Sequence, residues 1–138
     1  YKLPLDEMNS GIFFRCIPGD LMMGYECQLS NEIKDDDRLK PADCGTGGIF
    51  RRQDARVVAG ETGKFATVVL AAHGPSMAAW VNGVQVSDWY DDRKSDENPR
   101  RGLRLEAGTF MIQGHDPGTD AIIKQFNVAT VDDADPDE

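Results

Sequence analysis

Along most of the chain apolar and polar residues alternate with a period of two, the repeat of a strand that buries one face. Such runs, rich in β-branched and aromatic residues, predict strands over residues 11–17, 24–29, 47–50, 65–72, 76–81, 84–90, 103–106, 109–114 and 121–131. Turn formers separate them: Pro18-Gly19-Asp20, Gly45-Thr46-Gly47-Gly48, His73-Gly74-Pro75-Ser76, Asn82-Gly83, Ala107-Gly108 and Asp116-Pro117-Gly118. Asn82-Gly83 is the sharpest of these signals, because both residues tolerate the positive φ of a type I′ hairpin turn. No stretch sustains a helical period. Many short antiparallel strands imply two packed sheets, since one open sheet would leave an apolar face wet. The expected fold class is therefore all-β, a sandwich of two antiparallel sheets.

The same alternation sorts residues by face. In the first run Ile12, Phe14 and Cys16 share one side, and Phe13, Arg15 and Ile17 the other. In the second, Tyr25, Cys27 and Leu29 oppose Glu26 and Gln28. A hairpin through residues 18–23 sends the first apolar set and Tyr25, Cys27 and Leu29 into the core, so that Arg15, Glu26 and Gln28 meet on the opposite face. The plainer alternative there is a solvated Arg15–Glu26 cross-strand pair worth about 0.2–1 kcal/mol. Farther on, Phe110 and Ile112 share one face while Met111, Gln113 and His115 share the other. Trp89 and Tyr90 offer rings that can stack on a sugar, whereas Trp80 reads as packing and His73, beside a Gly-Pro turn, as a surface residue. Two longer loops, 30–46 and 91–101, interrupt the strands, and loops of that length often carry function. Asp35-Asp36-Asp37 in the first lacks the alternating acidic spacing and glycine of a calcium loop and reads as a solvated acidic segment.

Composition narrows the partners. The 138 residues fit one domain, read as 1–131, with 132–138 as an acidic tail or linker. Acidic residues outnumber basic ones by 24 to 15, a formal charge of −9 that opposes nucleic-acid phosphates and anionic membranes but not a neutral sugar. No apolar stretch approaches the roughly 20 residues of a membrane-spanning helix, so no membrane insertion is expected. Cys16, Cys27 and Cys44 are an odd set without metal-binding spacing, and Cys16 and Cys27 alternate with apolar residues as buried thiols do. The chain enters strand-like sequence from Tyr1 with no signal peptide in between, which suggests a domain cut from a longer precursor with other domains.

The order of several segments resembles the 3-keto-disaccharide hydrolase domain family. They are Asn9-Ser10-Gly11-Ile12-Phe13-Phe14-Arg15, Gly24-Tyr25-Glu26-Cys27-Gln28-Leu29, Thr46-Gly47-Gly48-Ile49-Phe50, Trp80-Val81-Asn82-Gly83, Gly102-Leu103, Ile112-Gln113-Gly114-His115 and Phe126-Asn127-Val128. The resemblance spans nearly the whole chain. It departs in the extended 91–101 loop, in Lys124-Gln125-Phe126-Asn127-Val128, and in the further strands the family carries ahead of Asn9. It implies a concanavalin A-like jelly-roll sandwich, an extracytoplasmic location (periplasmic or secreted), and a carbohydrate ligand or substrate.

The family's polar positions fall on Asn9, Arg15, Glu26, Gln28 and His115. The implied activity is cleavage of a glycoside whose ring carries a ketone at C3, which acidifies the C2 proton. That chemistry asks for a base, an acid for the departing oxygen and a cation for the enolate oxygen. Glu26 or His115 suits base or acid, and Arg15 the oxyanion; Asn9, Gln28, Gln113, Trp89 and Tyr90 are candidate substrate contacts. A divalent metal on Glu26 and His115 is an alternative electrophile, although two ligands do not define a site and no cofactor is certain. Ordinary glycosidase chemistry needs two carboxylates about 5–10 Å apart, for which Glu26 and Asp116 are one pair. The rival classes are a noncatalytic, laminin-G-like carbohydrate-binding module using Trp89 or Tyr90, and an interaction domain whose partner supplies strands at a sheet edge.

Overall fold

The computed structural model describes residues 1–130, and eight strands are assigned among them: β1 Asn9–Cys16, β2 Tyr25–Ser30, β3 Ile33–Lys34, β4 Asp37–Pro41, β5 Val68–His73, β6 Ser76–Val81, β7 Val84–Tyr90 and β8 Thr109–Ile112. One sheet has the order β2-β1-β8, a second β5-β6-β7, and β3-β4 is a separate hairpin. All these pairs are antiparallel. The core joins the two sheets, with Phe14, Tyr25 and Cys27 of the first against Met77, Ala79, Val81 and Val86 of the second and Ile49 beside them. The all-β architecture expected from the alternation is the one observed. Among the described residues no helix is long and apolar enough to cross a membrane.

Register explains the two faces of the first sheet. Phe14 lies opposite Tyr25 and Ile12 opposite Cys27, and these rows face the second sheet. Between them Phe13 lies opposite Glu26 and Gly11 opposite Gln28, on the outer face. The alternation holds until Arg15, where φ reaches +49° and the β1–β8 register shifts between Phe13 and Cys16. This bulge re-aims the side chain.

The Asn82-Gly83 turn joins β6 to β7 with φ of +50° and +81°, as expected. A second such turn was not anticipated. Asp35 and Asp36, at +55° and +54°, connect β3 to β4 inside what alternation treats as a loop. Asp enters the left-handed region because its short side chain bonds locally, but it signals that conformation less sharply than Asn-Gly. Lys40 bonds Asp35 at 3.0 Å across this hairpin.

Three predicted strands are present only as fragments. Residues 46–50 follow the free edge of β2 through Thr46 N–H to Ser30 O, Gly47 N–H to Gln28 O and Phe50 N–H to Glu26 O, each 2.9 Å. Regular strand geometry is lost there because Gly45 and Gly47 take φ of +74° and +86°. Leu103 makes a single bridge to Ser95, and the next main-chain N–H, that of Arg104, goes to the Tyr25 hydroxyl instead of a ladder. In the last run Ile122 pairs with Lys2, and Phe126 meets Phe110 edge-on at 5.6 Å; Val131 and the acidic tail lie outside the described residues.

All three cysteines are free and buried. Burial pushes the Cys27 thiol up to about 12 and raises those of Cys16 and Cys44, so none is poised as a nucleophile.

Candidate functional site on the outer sheet face

Gly11 and Gln28 face each other across β1 and β2, and Glu26 occupies the space that Gly11 leaves open. A Cβ built on Gly11 would sit 2.6 Å from Glu26 Oε1. Although it belongs to the outer face, Glu26 is only 4% exposed, because the loop following β7 crosses over it. From that loop Arg100 donates Nη2 to Glu26 Oε2 at 3.1 Å. The guanidinium lies 5.0 Å from the Phe13 ring centre and 5.7 Å from that of Phe50, and its Nε donates to Met22 O at 3.1 Å. Two rings, one carboxylate and one carbonyl thus fix its plane. Burial lifts the Glu26 carboxyl above its usual range; Arg100 and His115 pull it down and Asp43 pushes it up, and the net direction is upward.

Beside this pair is a cluster of amides and one carboxylate. Asn9 Nδ2 donates to Asp43 Oδ2 at 2.7 Å, and Gln28 Nε2 donates to the same oxygen and to Asn9 Oδ1, each at 3.1 Å. Gln28 Oε1 is buried with no protein partner, and so is Gln113 Oε1. Gln113 continues β8 past its last assigned residue, donating its main-chain N–H to Gly11 O at 2.9 Å. Gln28 and Gln113 therefore flank the side-chain-free Gly11, with their strands about 10 Å apart. A buried acceptor without a donor is costly, and ligand hydroxyl groups are donors of the right kind.

His115 lies just beyond Gln113. Its Nδ1 is 2.9 Å from Asp116 Oδ2, while Gly118 N–H donates to Asp116 Oδ1 at 2.7 Å. Those two bonds, that from His115 first, hold the Asp116 carboxyl below its usual range. A hydrogen bond of this kind orients the imidazole ring through Nδ1.

The structure brings Asn9, Glu26, Gln28 and Gln113 to one face, with His115 close enough to act on the Glu26 charge. Arg15 does not join them. The bulge turns it away, and its Nη1 donates to Gly74 O at 2.7 Å and Arg104 O at 3.3 Å, so Glu26 pairs with Arg100 instead. Trp89 and Tyr90 are also elsewhere. Trp89 packs toward the core edge-on to Tyr25, 6.3 Å between centres, and Tyr90 pairs with Ser76 on the outer face of the second sheet. Sequence reading missed Arg100 and Asp43. The one signal for Arg100 was the length and mixed charge of its loop; for Asp43 it was only membership of loop 30–46.

Gly11→Ala tests this geometry. The added Cβ meets the Glu26 side chain rather than backbone, with Oε1 at 2.6 Å and Cγ at 2.9 Å, so the strands keep their pairing while the buried Glu26–Arg100 pair is displaced and the melting temperature falls. Thermal melts of the variant beside the wild type check it.

Among the described residues there is no group of three or more His, Cys, Asp or Glu side chains arranged to hold a metal ion. Two surface depressions lie away from Glu26, one lined by Asp6, Glu32, Asp36, Arg38 and Glu61, the other by His73, Ser76, Trp89 and Tyr90.

The outer face of this antiparallel sandwich thus carries a buried carboxylate, an arginine and two unpaired amide oxygens. The chain belongs to the family of 3-keto-alpha-glucoside-1,2-lyase-like domains, whose model matches residues 1–128. No curated protein and no solved structure matches it.

Proposed function

We propose that this domain cleaves the glycosidic bond of 3-keto-disaccharides or related oxidised glycosides by elimination between C1 and C2, and that it works outside the cytoplasm as the family resemblance implies. The observation that carries this reading is the buried Glu26, its carboxyl lifted above the usual range and covered by Arg100 beside the unpaired Gln28 and Gln113 oxygens. Glu26 takes the C2 proton, and the electron pair passes onto the C3 ketone oxygen. Arg100 exchanges Glu26 for that oxygen, which uncovers the base and stabilises the enolate in one movement. Collapse of the enolate forms the C1–C2 double bond and expels the glycosidic oxygen, which His115, held by Asp116, protonates. Water then adds to the double bond for net hydrolysis, or the unsaturated ketose leaves as such.

The hydroxyl groups of the sugar supply donors to Gln28 Oε1, Gln113 Oε1 and Asp43, with Asn9 completing the cluster. Asp116 is already bonded to His115, which favours an acid pair over the second carboxylate of an ordinary glycosidase. The second reading, a noncatalytic sugar-binding module, draws on the 62% exposure of Tyr90 beside the depression on the second sheet.

The deciding experiment offers the protein a panel of 3-keto-disaccharides and their unoxidised parents, with and without chelator. Release from the keto substrates alone supports the elimination. Saturable binding without release, abolished by Tyr90→Ala, supports the module.

A further inference from the structure

Tyr25 and Glu26 are consecutive in β2 and so project from opposite faces of the sheet. The loop after β7 is attached to both. On the core side the Tyr25 hydroxyl donates to Asp91 Oδ2 at 2.8 Å and accepts the Arg104 N–H at 2.9 Å. Asp91 is 1% exposed and takes a two-pronged bond from Arg93, Nε to Oδ1 at 2.7 Å and Nη2 to Oδ2 at 2.8 Å. Arg93 Nη2 also donates to Pro99 O at 2.9 Å and Gly102 O at 3.0 Å, the carbonyls on either side of Arg100 and Arg101. The guanidinium lies 5.5 Å from the Trp89 ring centre. On the outer side, Arg100 reaches Glu26.

We propose that Asp91 and Arg93 are positioning residues for the site, a buried clamp that grips the carbonyls flanking Arg100 and so holds its guanidinium on Glu26 from the other side of the sheet. A surface ion pair between adjacent residues of a loop would not need this construction. Here the carboxylate is buried, both its oxygens are used, and the arginine it orients also turns Nη2 to two carbonyls of the segment that carries Arg100. Burial alone would raise the Asp91 carboxyl, but the bonds from Arg93 and Tyr25 outweigh it and hold it below its usual range. The Asp91 carboxyl is thus shifted the opposite way from that of Glu26. Arg100 has supports besides the clamp, since Arg52 Nη2 bonds its carbonyl at 2.8 Å and its own Nε bonds Met22 O at 3.1 Å, so the loop keeps its path and loss of the clamp shifts the guanidinium rather than freeing it.

The inference rests on the proposed function for its consequence but not for its test. The charged groups acting on Glu26 are Arg100, Asp43 and His115. Of these, only Arg100 depends on the clamp. Titration of the Glu26 side-chain carboxyl by ¹³C NMR, without substrate, reads its placement directly. In Arg93→Lys, which keeps the charge but loses the fork, and in Asp91→Asn, the Glu26 midpoint should move up toward that of Arg100→Gln. Adding Arg93→Lys to Arg100→Gln should move it no further. On 3-keto-glucosides both clamp variants should lose on the order of 10–100-fold in kcat/KM. An unchanged Glu26 midpoint in folded Arg93→Lys, or a shift that adds to that of Arg100→Gln, overturns the clamp. If every variant and the wild type fail to turn over keto sugars while the midpoints move as described, the elimination chemistry is lost and the clamp stands.

Discussion

Glu26→Gln should abolish release from 3-keto-glucosides, with kcat falling by about 10²–10⁴-fold, the contribution expected of a positioned base. The amide keeps the side chain's size and an oxygen toward Arg100, so circular dichroism and binding of the unoxidised parent sugar should persist. The pH dependence makes the test specific. Because burial raises the Glu26 carboxyl, the acid limb of the wild-type kcat/KM profile should fall at a pH above the ordinary glutamate range. The same shift has a consequence for stability. A carboxyl with a raised folded-state value favours the folded state most when it is protonated. Its favourable effect is complete below the unfolded value of 4.5 and is lost as pH rises through the raised folded value. Glu26→Gln should remove that part of the pH dependence of melting. An acid limb at ordinary glutamate pH, or undiminished turnover in the variant, would remove Glu26 from the role of base.

Phe13→Ala should cost about 3–5 kcal/mol of stability, the usual range for deleting a buried phenylalanine. Phe13 is 0% exposed even though it stands on the outer face of the sheet, because Arg100 and its loop cover it. The effect should be read from denaturant midpoints. Phe13→Leu separates packing from recognition: it restores most of the apolar volume but not the ring under the guanidinium. The leucine variant should therefore recover most of the stability while turnover stays reduced. Full recovery of both would make Phe13 simply a core residue.

Glu26 and three of the residues around it were within reach of alternation. A period-two pattern determines which side of a strand a residue occupies, and β1 and β2 pair in the register that brings Phe13, Glu26, Gly11 and Gln28 together. The same rule failed at Arg15, since one residue with positive φ breaks the phase and nothing in Phe-Phe-Arg-Cys announces it. It failed also at residues 103–106 and 121–130, where apolar composition is present but the pairing is confined to the bridges of Leu103 with Ser95 and Ile122 with Lys2. The β3–β4 hairpin was hidden for the opposite reason, because its turn is Asp-Asp and its strands are short and mostly polar.

By itself the sequence determined the all-β class, the sharp Asn82-Gly83 turn, the burial of Cys16 and Cys27 and the face on which Glu26 and Gln28 stand. Each depends on neighbours in the chain, through side-chain alternation and local φ preference. Only the tertiary structure decided that Arg100 rather than Arg15 meets Glu26, that Asp43 joins Asn9 and Gln28, and that Trp89 and Tyr90 lie away from them. These pairings close over separations of 74 residues for Arg100 and Glu26 and 15 for Gln28 and Asp43. At such distances no local preference acts; the partner is chosen by how the loop after β7 packs across β2, with the buried Tyr25 and Asp91 and the partly buried Arg93 holding it.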